Sequence, residues 1–164
     1  VAAFYNASFD GLGKLSASAG YSTKDKGLND KEKMAGDLDT IGGSVSWLHD
    51  TGINLTAVYS NAESDGGRDS DFNMFKVGYK TGKHSFTVHR AEGKDFNPAA
   101  VDAGGKSVGT TVEGSDVEIY GAAYVYQPIK RLDVYFAYNN FALEADNGDY
   151  DDVNIAMIGS RLKF

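Results

Sequence analysis

Charged side chains punctuate alternating stretches of this chain. Lys76 and Lys80 stand in "DFNMFKVGYK", Glu118 in "SDVEIYGAAYVY", Asp133 in "RLDVYFAYNN", and Arg161 and Lys163 in "IGSRLKF". If those stretches are strands, every second residue shares a face, and all six charges are expected on the face turned away from the apolar side chains. Such a wall performs no covalent chemistry. It sets a local potential that attracts counter-ions and repels ions of like sign. Both signs are present, so weak selectivity is expected. The plainer reading, that the charges only keep the wall hydrated, carries equal weight.

Other candidates are weaker. The stretches "SDGGRDSDF" and "ADNGDYDD" cluster carboxylates that could hold calcium or bridge phosphates through divalent ions. Neither has the twelve-residue loop ending in Glu, and solvated loops explain them better. His84 and His89 share no metal-ligand spacing with other candidate ligands, and His49 falls in a turn. No Gly-x-Ser-x-Gly elbow occurs, and the three histidines lack a Ser or Asp context. Cysteine is absent, which excludes thiolate catalysis and a disulfide framework. No enzyme activity, metal or cofactor is expected.

Composition narrows the classes further. The chain has 164 residues, with 16 Lys and Arg against 23 Asp and Glu, a formal charge of -7. Phosphate backbones need a concentrated basic face, so nucleic acid is not an expected partner. Mean hydropathy is -0.36, and no run approaches the ~18 apolar residues of a spanning helix. A β-barrel evades that test, because only every second residue meets lipid. Gly (20), Tyr (10) and Phe (9) are plentiful and Pro (2) is scarce, usage that suits many strands.

The elements that must position the charges follow from a period close to two. Strands are expected at about 2–9, 14–24, 40–49, 53–62, 71–80, 84–91, 115–126, 131–145 and 152–164. The turns "DGLG", "DTG", "TGK" and "QPIK" alternate with long polar connections. Short turns confined to one end are the habit of outer-membrane barrels, with short periplasmic turns and longer exterior loops. The predicted fold is therefore all-β, an antiparallel transmembrane β-barrel wall in a single domain over 1–164.

The faces are expected as follows. Ile53, Leu55, Ala57 and Tyr59 oppose Asn54, Thr56 and Ser60, while Ile41, Val45 and Trp47 oppose Ser44 and Ser46. Val117, Ile119, Ala123 and Val125 are read as outward and Asp116, Glu118, Tyr120 and Tyr124 as inward. Leu132, Val134 and Phe136 point outward against Asp133, Tyr135 and Asn139. In the last strand Phe164, Leu162, Ile158 and Ala156 share the outward parity, with Ile155 and Met157 on the inward one. Tyr21, Trp47, Tyr59, Tyr79 and Phe141 are candidates for interfacial girdles.

The segment "RLDVYFAYNNFALEADNGDYDDVNIAMIGSRLKF" resembles the last hairpin of Gram-negative general (trimeric) porins, and "YGAAYVYQPIKRLDVYFAY" resembles the hairpin before it. The resemblance is close over roughly the last third of the chain. It implies a sixteen-stranded barrel in the outer membrane of a Gram-negative bacterium. That barrel would form a homotrimer among lipid and lipopolysaccharide and pass small hydrophilic solutes and ions by passive diffusion. It also implies that Phe164, with Leu162 and Ile158, is the signal read by the outer-membrane assembly machinery. Nine strands would place the first and last in parallel, whereas bacterial single-chain barrels close antiparallel with even counts. The expectation is thus the C-terminal portion of a larger barrel. The opening "VAAFYNASFD" has no basic n-region or apolar h-region, so either a leader was removed or strands precede it. The alternatives are a small complete barrel acting as an anchor or adhesin, and a soluble β-sandwich.

Overall fold

The computed structural model describes residues 1–24, 38–64, 69–95, 99–101, 107–111, 115–145 and 148–163. They form β1 (Ala2–Phe9), β2 (Gly13–Lys24), β3 (Leu38–Leu48), β4 (Ile53–Ser64), β5 (Ser70–Thr81), β6 (His84–Lys94), β7 (Ala99–Val101), β8 (Ser107–Thr111), β9 (Asp116–Ile129), β10 (Leu132–Ala145), β11 (Gly148–Asp149) and β12 (Val153–Leu162). The expected strands are all present, with ends shifted by a few residues. The connection between β6 and β9 also carries the small β7–β8 hairpin, which the alternation did not reveal.

The long strands pair in the order β1-β2-β3-β4-β5-β6-β9-β10, with β12 and the short β11 both on the far side of β10. Every pairing is antiparallel. The tight turns β1–β2, β3–β4, β5–β6 and β9–β10 consequently share one end of the sheet. The turn expected at "QPIK" sits later, because β9 runs on to Ile129 and a register shift between Leu132 and Val134 absorbs the extra residue. Pro128 falls beside this irregularity, where a missing N–H is tolerated.

Two glycines hold the turn end together. Gly52 has φ +93° and Gly13 has φ +90°, a region that other residues rarely adopt. Gly52 N donates to His49 O at 2.9 Å, and Gly52 O accepts from Lys80 N at 2.9 Å, joining one hairpin to the next. A Cβ on Gly52 would fall 2.0 Å from Lys80 O, and one on Gly13 would fall 2.0 Å from Leu48 O.

Because registers are continuous, faces can be traced from strand to strand. Ile53, Tyr79, Phe86, Tyr124, Phe136 and Ile158 form one row across β4, β5, β6, β9, β10 and β12. Leu15, Trp47, Leu55, Val77 and Val88 form the next row on the same face. A sheet in water must cover one face to be stable. This one does not: Phe136 is 47% and Ile158 83% exposed, and Ala91 is the only hydrophobic residue buried among those described. Taking each such side chain out of water is worth about 1.5–3 kcal/mol, so hydrocarbon rather than water is the solvent this face fits.

Aromatic side chains with a polar tip mark both ends of that outer face. Near the long connections, Tyr21 donates to Asp39 at 3.0 Å and Tyr59 to Asp71 at 2.8 Å. At the turn end, Trp47 Nε1 donates to Leu12 O at 2.8 Å. Apolar ring and polar tip suit the membrane–water boundary. Phe141, expected in the same girdle, pairs with Ile119 and Val153 on the other face.

Candidate functional site

The opposite, inner face is polar through its middle. One row runs Asn6, Ser16, Ser46, Thr56, Lys76, His89, Gly121 and Asn139. Its hydroxyls and amides bond along the wall: Ser46 to Thr56 at 3.1 Å, Asn54 Nδ2 to Ser46 at 3.2 Å, and Ser18 to Ser44 at 2.8 Å one row away. Two glycines let larger side chains lie against the wall. A Cβ on Gly121 would meet His89 Cε1 at 2.0 Å and Asn139 Oδ1 at 2.3 Å, and one on Gly159 would meet the Tyr135 hydroxyl at 2.6 Å.

Toward the turn end this face gathers charge. Asp133 on β10 lies opposite Arg161 on β12 and is only 3% exposed. Arg161 donates Nη2 at 2.7 Å and Nε at 3.1 Å, both to Asp133 Oδ2. Lys163 Nζ reaches the same oxygen at 2.9 Å, while Gln127 Nε2 donates to Oδ1 at 2.9 Å. Lys163 is positioned by its backbone, whose N–H donates to Arg131 O at 2.8 Å. Both carboxylate oxygens are thereby satisfied, which a nearly covered charge requires. Lys80 and Lys83, from β5 and the turn after it, line the same cavity, which encloses about 230 Å³.

The sequence-derived candidates therefore divide. Lys76, Lys80, Asp133, Arg161 and Lys163 stand on the inner face, and the register brings Asp133, Arg161 and Lys163 into contact. Glu118 does not join them. It lies opposite Glu92 and Ala142, in the parity of Tyr124 and Phe136, on the outer face. The inward placement of Asp116, Glu118, Tyr120 and Tyr124, and the outward placement of Val117, Ile119, Ala123 and Val125, are both corrected. In β9 one parity carries tyrosines and the other aliphatics, so hydropathy contrast within the strand is small. The hydrogen-bonded neighbours Phe86 and Phe136, flanking Tyr124, decide the matter. Glu118 is held there by Arg90, whose Nε donates at 2.8 Å, and by the Tyr120 hydroxyl at 2.8 Å.

Leu162 and Ile158 lie on the outer face, opposite Leu132 and Phe136; Phe164 is outside the described residues. Ile155 and Met157 point inward, opposite Asn139 and Ala137. With Val117, Ile119, Phe141, Leu143 and Val153, Ile155 lines an apolar hollow of about 770 Å³ near the long connections. His84 and His89 occupy opposite faces. His84 bonds the Tyr124 hydroxyl through Nδ1 at 2.8 Å and stacks on Tyr126 at 5.1 Å. The carboxylates of "SDGGRDSDF" and "ADNGDYDD" lie partly outside the described residues.

Sequence reasoning passed over Lys83 and Gln127. Lys83 sits in a turn, where alternation assigns no face, and Gln127 sits beside the β9 irregularity. A basic residue in a two-residue turn next to an inward lysine was the available signal. Among protein families, residues 1–147 match the one described as Gram-negative porin, a span that takes in β1 to β10. No curated protein and no solved structure matches the chain.

Proposed function

The chain belongs to the Gram-negative porin family and is a protein of the outer membrane, and from that premise we propose that it forms the wall of a water-filled pore for passive diffusion of small hydrophilic solutes and ions. The observation that carries this reading is the division of one sheet into an uncovered aromatic face and a face bearing Ser, Thr, Asn, Lys and Arg. The mechanism is steric sieving combined with the potential of Lys76, Lys80, Asp133, Arg161 and Lys163. It has no chemical step and needs no cofactor.

Part of the proposal is that residues 1–164 are one portion of a larger barrel. Among the described residues, β1 pairs only with β2 and β12 only with β10, and those two edge strands run in the same direction. An unpaired edge in hydrocarbon leaves backbone N–H and C=O groups unsatisfied, at several kcal/mol each. Antiparallel partners on both sides remove that cost, whereas joining β1 to β12 would make a parallel seam. A homotrimer, contact with lipopolysaccharide, and delivery by the assembly machinery through Phe164, Leu162 and Ile158 complete the reading. The test is ion conductance of the full-length protein in planar bilayers. Stable insertion without conductance would sink it.

A further inference from the structure

We propose that the turn-end mouth of the inner face holds a binding site for small multivalent anions, of the phosphate or carboxylate class. The proposal deepens the pore reading and rests on it for the location, though not for the chemistry. Four cationic side chains, Lys80, Lys83, Arg161 and Lys163, line a cavity of about 230 Å³ together with one carboxylate, that of Asp133. That volume corresponds to several waters at ~30 Å³ each, enough for a phosphate or a small carboxylate. The concentration of positive charge is local, because the whole chain carries -7.

Asp133 does not neutralise the site so much as build it. Its Oδ2 is taken by Arg161 and Lys163 and its Oδ1 by Gln127, which fixes two cations at the rim. A guanidinium has five N–H donors and an ammonium three. Asp133 uses two of Arg161's and one of Lys163's, leaving the rest for a ligand. Lys83 spends one donor on Pro128 O at 2.8 Å. Among the described residues, neither Lys80 nor Lys83 has a carboxylate within ion-pair distance. The side chains come from β5, the β5–β6 turn and β12, so only the folded sheet assembles them. An anion there gains several charge-assisted hydrogen bonds from donors already held in place.

The probe is inorganic phosphate, titrated calorimetrically at constant ionic strength against chloride, into full-length protein in a neutral detergent. Saturable binding is expected. It should weaken roughly fivefold when Lys80→Gln and Lys83→Gln are combined, two exposed charge contacts' worth, and survive Lys80→Arg with Lys83→Arg. In planar bilayers, phosphate on the turn side should lower chloride current more than the same concentration on the loop side. Absence of saturable binding, or equal binding by the glutamine variant, overturns the site even if the pore conducts. Binding without any conductance would overturn the pore reading and leave the site standing.

Discussion

Asp133 and Arg161 face each other across β10 and β12, and Arg161 directs both Nε and Nη2 to the single oxygen Oδ2, at 3.1 and 2.7 Å. Lys163 shares that oxygen from the next inward position, at 2.9 Å. One covered carboxylate thus restrains two exposed cations at the rim of the inner face.

Asp133→Asn keeps the shape of the side chain and removes its charge. The mouth then carries the same cations with no counter-charge, and the pore should become more anion-selective. Reversal potentials in a potassium chloride gradient measure this directly. A shift toward cations would contradict the placement of the cluster in the ion path.

Lys76 and Glu118 separate the two faces. Lys76→Glu reverses a charge on the inner row and should move the cation-to-anion permeability ratio roughly twofold toward cations. Glu118→Gln removes a charge from the outer face and should leave that ratio unchanged. Equal effects from both substitutions would mean that Glu118 shares the face of Lys76.

Phe136 tests the same division through stability. Phe136→Arg sets a cation in the outer aromatic row, where burial in lipid costs up to about 2–4 kcal/mol, a penalty that falls toward the membrane–water boundary. Ser16→Arg sets the same side chain on the inner polar row and should fold normally. Folding yield into lipid vesicles, read by the heat-dependent shift on electrophoresis, distinguishes the two.

The turn end offers a contrast between glycines. Gly52→Ala forces a Cβ to 2.0 Å from Lys80 O at φ +93°, while Gly82 has φ +55° and no atom within 4 Å of such a Cβ. Backbone strain alone is worth about 1–3 kcal/mol, and the clash in Gly52→Ala adds to it, whereas Gly82→Ala carries the strain only. Thermal denaturation in detergent should rank Gly52→Ala well below Gly82→Ala, with Gly82→Ala nearer wild type. The reverse order would show that the Gly52–Lys80 approach is not what closes this end.

Much of the fold was legible in the sequence because strands and tight turns are local. The period of two in "INLTAVYSNA", the glycines at positions 11, 13, 52 and 82, and the alternation of short and long connections together specify hairpins, their order and their common turn end. The alternation of Leu162 and Ile158 with Arg161 likewise assigned the faces of β12 without help from its neighbours. Tertiary structure decided what local pattern leaves equivalent. In β9 either parity could face out, since tyrosine on one side and valine or isoleucine on the other give little contrast. The register of Phe86 and Phe136 against Tyr124 broke that tie and carried Glu118 to the outer face. The rim site needed the sheet as well. Lys83 and Lys163 are remote in the chain, and they line one cavity only because backbone hydrogen bonds carry the positions of β5 through β6, β9 and β10 to β12.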